Sequence, residues 1–235
     1  MLTKRFYGLA SIGLLFAHPP ALAHYLWIEP DAAQHARLYF GEYQENLRET
    51  GGGRLDHIKA PQAWSIDAAG SRRAIAVLRE ADHFDLGPVE GPGAVTLVEE
   101  AGADVLDLKA YGQGVVRPVF YARYGTATMA GGQKPQLTLD IVPGSGPGRN
   151  TYTVYFRGVP LPKAKVSVYA PNLWLQERRT DERGNLDIAT PWPGRYVLEV
   201  IHLEKSPGTH AGRTFESVRH RATLTVGVDG APDAR

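Results

Sequence analysis

Apolar and polar positions alternate along most of this chain in short runs with a period of two. Arg37-Leu38-Tyr39-Phe40, Ala63-Trp64-Ser65-Ile66-Asp67 and Ala94-Val95-Thr96-Leu97-Val98 are examples, each bounded by glycine, proline or other turn residues. Side chains in a strand point alternately to opposite faces, so this pattern predicts short strands in preference to helices. Two segments are less defined. Ala74 to Glu80 fits a helical turn or a strand equally, and the polar stretch Glu42 to Glu49, before Gly51-Gly52-Gly53, is compatible with a short helix.

The second half reads more clearly. Gln136 to Val142 and Thr151 to Phe156 alternate on either side of a glycine-rich loop, and Ala164 to Tyr169 follows. Thr180-Asp181-Glu182-Arg183-Gly184 forms a tight turn. Pro193-Gly194-Arg195-Tyr196 leads into a strand from Val197 to Leu203. Strands recurring at roughly ten-residue spacing with such turns predict an antiparallel sandwich. The fold class expected is therefore mainly β, with two β-rich domains at 24–124 and 136–228. The small, flexible sequence between Tyr124 and Pro135 supplies a linker at 125–135, and 229–235 is expected to be a flexible tail.

One segment breaks the pattern. Residues 1–23 have a basic start at Lys4 and Arg5, an apolar run from Phe6 to Phe16, and Ala21-Leu22-Ala23 at the exit. This is the layout of a secretory signal peptide, with small residues one and three positions before the cut. The apolar run is about eleven residues, and a spanning helix needs roughly twenty. The expectation is an exported, periplasmic chain that begins at His24 and has no membrane span after cleavage.

Losing Lys4 and Arg5 takes the basic count from 26 to 24 against 25 acids, so the mature charge is near −1 and no nucleic-acid partner is implied. There is no cysteine, which excludes thiolate metal sites and cysteine nucleophiles. No Gly-x-Ser-x-Gly elbow, His-Glu-x-x-His pair or phosphate-cradling glycine loop occurs.

A histidine at position one of a chain offers two nitrogens, the α-amine and the near imidazole nitrogen, which close a chelate ring without ordering a loop. The amine has an ordinary pKa near 8, so a metal competes with one loosely held proton. His24 is thus the leading candidate ligand. His202 shares a strand face with Tyr196, Leu198 and Val200, and His220 shares one with Val218, Ala222 and Leu224. If these strands pair, the two rings approach each other across neighbouring strands. His210, in the intervening loop, is a fourth candidate, and together they would make a nitrogen-rich site for nickel, cobalt or copper. The competing reading makes His202 and His220 hydrogen-bonded core or rim residues, and His210 a solvated loop residue. Glu29 is a candidate for orienting an imidazole, whereas Tyr25 and Trp27 read as packing residues. His35, His57 and His83 have less support; Asp82-His83 with Asp85 nearby could hold a metal, although acid and histidine in a loop are more often solvated.

Gly158-x-Pro160-Leu161 before a strand, Thr180 to Gly184 at a turn and Pro193 to Tyr196 before another strand resemble the prealbumin-like or carboxypeptidase-regulatory type of β-sandwich. With His24-Tyr25-Leu26-Trp27-Ile28-Glu29-Pro30 after the cut and the closing His220-Arg221-Ala222-Thr223-Leu224-Thr225 strand, the chain is similar to one bacterial family. This is the family of periplasmic nickel-uptake components associated with energy-coupling-factor transporters. The resemblance implies an exported metal-handling role, with a metal ion as ligand and a membrane transporter or outer-membrane receptor as partner. A metal-free sandwich adaptor that docks on such a membrane protein is the alternative. A copper oxygenase built on a histidine brace is a lesser one.

Overall fold

A computed structural model describes residues 24–67, 70–89, 94–126, 134–144 and 150–228. The expected signal peptide at 1–23, most of the expected linker and the tail at 229–235 lie outside the described residues. Strands dominate. The first half carries β1 (Tyr25–Pro30), β2 (His35–Glu42), β3 (Leu47–Arg48), β4 (Gln62–Ile66), β5 (Arg72–Ile75), β6 (Leu78–Arg79), β7 (Phe84–Pro88), β8 (Val95–Glu100), β9 (Leu106–Leu108) and β10 (Gly114–Thr126). The second half carries β11 (Leu139–Pro143), β12 (Thr151–Phe156), β13 (Val159–Pro160), β14 (Lys165–Tyr169), β15 (Leu175–Arg179), β16 (Asn185–Asp187), β17 (Gly194–Glu204), β18 (Gly208–His210), β19 (Arg213–Phe215) and β20 (Ser217–Val228). Three single-turn 3-10 helices, at Tyr43–Glu45, Arg54–His57 and Lys109–Tyr111, are the helical elements among the described residues. The ambiguous segment at 74–80 is extended, in β5 and β6. The stretch from Glu42 to Glu49 is one 3-10 turn and then β3, not a longer helix.

The sheets are antiparallel throughout except at one seam. β10 and β20 run parallel over eleven residue pairs, from Val116 opposite Ser217 to Thr126 opposite Gly227. That seam joins β15-β14-β17-β20 to β10-β8-β4-β5 in one central sheet. Strands from either side of the expected linker therefore share a sheet, and Gly125 and Thr126 belong to β10.

Each face of the central sheet carries its own core. On one face β11, β12, β13 and β16 pack through Leu139, Ile141, Tyr152 and Val154 against Tyr121, Val168, Leu198, Ala222 and Leu224. On the other face β1, β2, β7 and β6 pack through Leu26, Ile28, Leu38 and Phe40 against Val98, Phe120 and Ala122. Because side chains alternate along β20, successive residues serve different cores: Val218, His220 and Ala222 face one, Arg219, Arg221 and Thr223 the other.

β1 is the edge strand of its sheet, and its edge is covered. Arg221 donates from Nη1 to the His24 carbonyl at 2.9 Å, and Thr223 Oγ1 donates to the Leu26 carbonyl at 2.7 Å. These bonds satisfy carbonyls that would otherwise be left unpaired inside the molecule, and they fix the start of β1 against the middle of the central sheet. Among the described residues no helix is long and apolar enough to cross a membrane.

Candidate functional site

His24 stands immediately before β1, 4% exposed, on the same side of that strand as Leu26 and Ile28. β1 pairs with β2 so that Tyr25 lies opposite Gly41, which brings Glu42 beside His24. β3 then folds back on β2, with Gly41 opposite Arg48, and delivers Glu49 to the same place. This return depends on Gly41: its φ is +151°, and a Cβ there would sit 2.1 Å from the Leu47 carbonyl oxygen. Asn46, at φ +52°, makes the left-handed turn into β3.

Two carboxylates thus flank one imidazole. Glu49 Oε1 is 2.5 Å from His24 Nε2, a short hydrogen bond. Glu42 Oε1 is 3.1 Å from Nδ1, but the alignment is not that of a hydrogen bond, and Nδ1 is buried without a hydrogen-bond partner. The Glu49 bond favours the tautomer with hydrogen on Nε2, which turns the Nδ1 lone pair toward another acceptor. With the hydrogen on Nε2, the Nδ1 lone pair faces the Glu42 oxygen, and a proton or a metal ion between the two would satisfy both. The ring packs against Phe40, with centroids 5.4 Å apart.

His24 also lines a cavity of ≈ 60 Å³ with Arg54, His57, Asp104, Phe120 and Arg219. Arg219 is 5% exposed. Burial, reinforced by the like charge of Arg221, pushes its guanidinium down to about 10, so it remains a cation at neutral pH.

The other expected ligands are elsewhere. His202 lies directly opposite His220 on β17 and β20, as the alternation predicted, with ring centroids 6.4 Å apart. Both pack on Phe156. They face the core opposite to the one His24 occupies, because Arg221, the neighbour of His220, is the residue that reaches the His24 carbonyl. The grouping of His24 with His202 and His220 is therefore not assembled; the central sheet lies between them. His220 is already engaged: its Nδ1 is 2.9 Å from the Tyr121 hydroxyl, and its Nε2 is 3.0 Å from Glu204 Oε2. His210 is half-buried in β18 opposite Arg213, and among the described residues no ring contact joins it to His202 or His220.

Glu29 does not orient an imidazole. It points to the other side of β1, where it accepts from Trp27 Nε1 at 2.9 Å and pairs with Arg48 Nη2 at 3.1 Å and Arg195 Nη1 at 3.0 Å. The orienting role falls to Glu49. His35 lies 3.5 Å from Asp85, and His83 is 2.7 Å from Asp82. The sequence reading did not single out Glu42 or Glu49, the two carboxylates at His24. Asn46, a residue that favours tight turns, was the available sign of the β2–β3 return.

Compared with known family models and with curated proteins, the chain matches none.

Proposed function

We propose that the exported chain, cut before His24, binds a divalent transition metal at its first residue. The freed α-amine and Nδ1 of His24 form the chelate, and the Glu42 carboxylate supplies an oxygen donor. Glu49 holds the opposite ring nitrogen, the usual arrangement in which a ligating histidine gives its other N–H to a carboxylate. One observation carries this reading: a buried Nδ1 faces a carboxylate oxygen at 3.1 Å with no hydrogen bond between them. The donor set also fits the group, since amine, imidazole and carboxylate together suit nickel, cobalt and copper. Nitrogen-rich ligation favours copper in affinity, and the resemblance to nickel-uptake components favours nickel and a periplasmic role near a membrane transporter or receptor. His202, His220 and His210 are not part of this site.

Replacing His24 by alanine is expected to abolish the uptake of about one nickel or copper per chain, measured by elemental analysis of correctly processed protein. Unchanged metal content in the variant would contradict His24 as the ligand, and absence of metal from the unsubstituted processed protein would favour a metal-free adaptor. That second reading has its own support in an exposed aromatic pair, Trp174 and Trp192, 45% and 39% exposed with ring centroids 5.5 Å apart, a surface suited to docking on another protein.

A further inference from the structure

We propose that a cleft between β5 and β7 binds a small uncharged molecule with an apolar body and a carbonyl end. The site is independent of the metal reading, since it shares no lining residue with the cavity at His24. Its origin lies in how the chain changes sheets. β5 ends the central sheet and β6 ends the β1-β2-β7-β6 sheet, so residues 76–77 carry the chain from one layer to the other. The register of β7 against β2 shifts between His35 and Arg37, and Gly87 stands at this irregularity with φ +78°, a bulge of the kind that bends a strand. The layers part at this end, and the small side chains of Ala74, Ala76 and Ala94 leave a space of ≈ 440 Å³ between them.

The walls decide the chemistry. Ile75, Leu78 and Leu86 supply apolar surface, from which a ligand displaces water. The central sheet contributes Ser65 and Thr96, directly opposite each other on β4 and β8 and only 4% and 6% exposed. Ser65 shares a strand face with Ala63, and Thr96 with Val98, the face turned toward the β1-β2-β7-β6 layer. Both residues border the cleft, and among the described residues neither hydroxyl makes a hydrogen bond. Two adjacent O–H donors match the two lone pairs of one carbonyl oxygen. The charged side chains of the lining are already engaged. Asp85 accepts from the Gly87 N–H at 2.7 Å and lies 3.5 Å from His35 Nδ1, and Arg73 has an interaction of its own. An ionic ligand would lose hydration here without gaining a counter-charge, so the cleft selects an uncharged one. A space of ≈ 440 Å³ equals that of roughly fifteen water molecules, which suits a ligand of about ten to fifteen heavy atoms.

The test is a titration of the chain that begins at His24 with benzylacetone, a neutral ketone, and separately with hydrocinnamate, a carboxylate of the same size, each followed by backbone amide NMR shifts. The ketone is expected to shift amides of β4, β5, β7 and β8 saturably, and the carboxylate to bind at least about ten-fold more weakly. Ser65→Ala and Thr96→Val, each checked for an unchanged thermal transition, should weaken ketone binding by about three- to ten-fold, the worth of one hydrogen bond. Ala76→Phe, which fills the space from an exposed position, should abolish the shifts. No saturable shifts with the ketone, equal or tighter binding of the carboxylate, or undiminished binding by Ala76→Phe would each overturn the proposal. Undiminished binding by both hydroxyl variants would overturn the carbonyl end. None of these readouts involves a metal, so the metal site stands or falls on its own test.

Discussion

Three glutamates stand around the start of β1, and each meets different partner atoms. Glu29 and Glu49 are both charged groups close to the start of the chain, yet alternation sends them to opposite sides of β1. Glu29 neutralises Arg48 and Arg195 and accepts from Trp27, a structural task. Glu49 holds the imidazole of His24, and Glu42 faces its remaining nitrogen. Substituting each therefore has a different consequence. Glu49→Gln is expected to weaken metal binding by about 10–100-fold, the usual cost of losing a partner of a ligating histidine. Glu29→Gln should leave metal affinity unchanged and lower unfolding stability by about 1–3 kcal/mol, through loss of charge opposite two arginines. Metal titration and denaturant unfolding of both variants check this, and equal effects of the two on metal binding would contradict the assignment.

At the scale of elements, the hairpin of β17 and β20 shows how a correct local reading leads to a wrong grouping. The alternation placed His202 and His220 on apolar faces and paired them across strands, and they are paired. What a single strand pattern does not contain is which face of the finished sheet meets β1. That choice is made by Arg221 and Thr223, which bond to β1 and so commit the residues that alternate with them, His220 and Ala222, to the opposite core. The hairpin has a measurable signature of its own. Burial lowers the pKa of His202 from 6.5, and burial lowers that of His220 against the opposing pull of Glu204. Both rings stay neutral in the folded chain at pH values where the unfolded chain takes up protons. Stability contributed this way is present above pH 6.5 and is lost as pH falls below it. Glu204 is held below 4.5 chiefly by its hydrogen bond from His220, with Arg157 assisting, and adds a further loss below that value. Denaturant unfolding across pH 4–7 should show this decline, and His202→Gln should shrink the part that begins near 6.5. An identical pH profile in the variant would contradict the proposed environment of the ring.

Across the whole molecule, the strands themselves were largely legible, because a two-residue period survives in any half-buried strand. The parallel β10–β20 seam was not, since its partners lie about a hundred residues apart and parallel pairing leaves no turn signal between them. That seam makes the two halves one sheet and gives His24 its surroundings, with Arg219 and Arg221 coming from the end of the chain and Phe120 from its middle. His24 was singled out in the sequence from the expected export cut. Its carboxylate partners were not, because they arrive through a return at Gly41 and Asn46 inside a stretch whose polarity resembles a helix. The central claim is that cleavage frees a nitrogen which binds a metal together with Nδ1 of the same residue. It is tested most directly by comparing nickel and copper affinity, by calorimetry, of the chain that begins at His24 and of the same chain with one alanine placed before it. The account predicts about one ion per chain for the first and a loss of at least about a hundred-fold in affinity for the second, since the added residue removes the amine from the chelate ring. Equal affinity in the two proteins would contradict it.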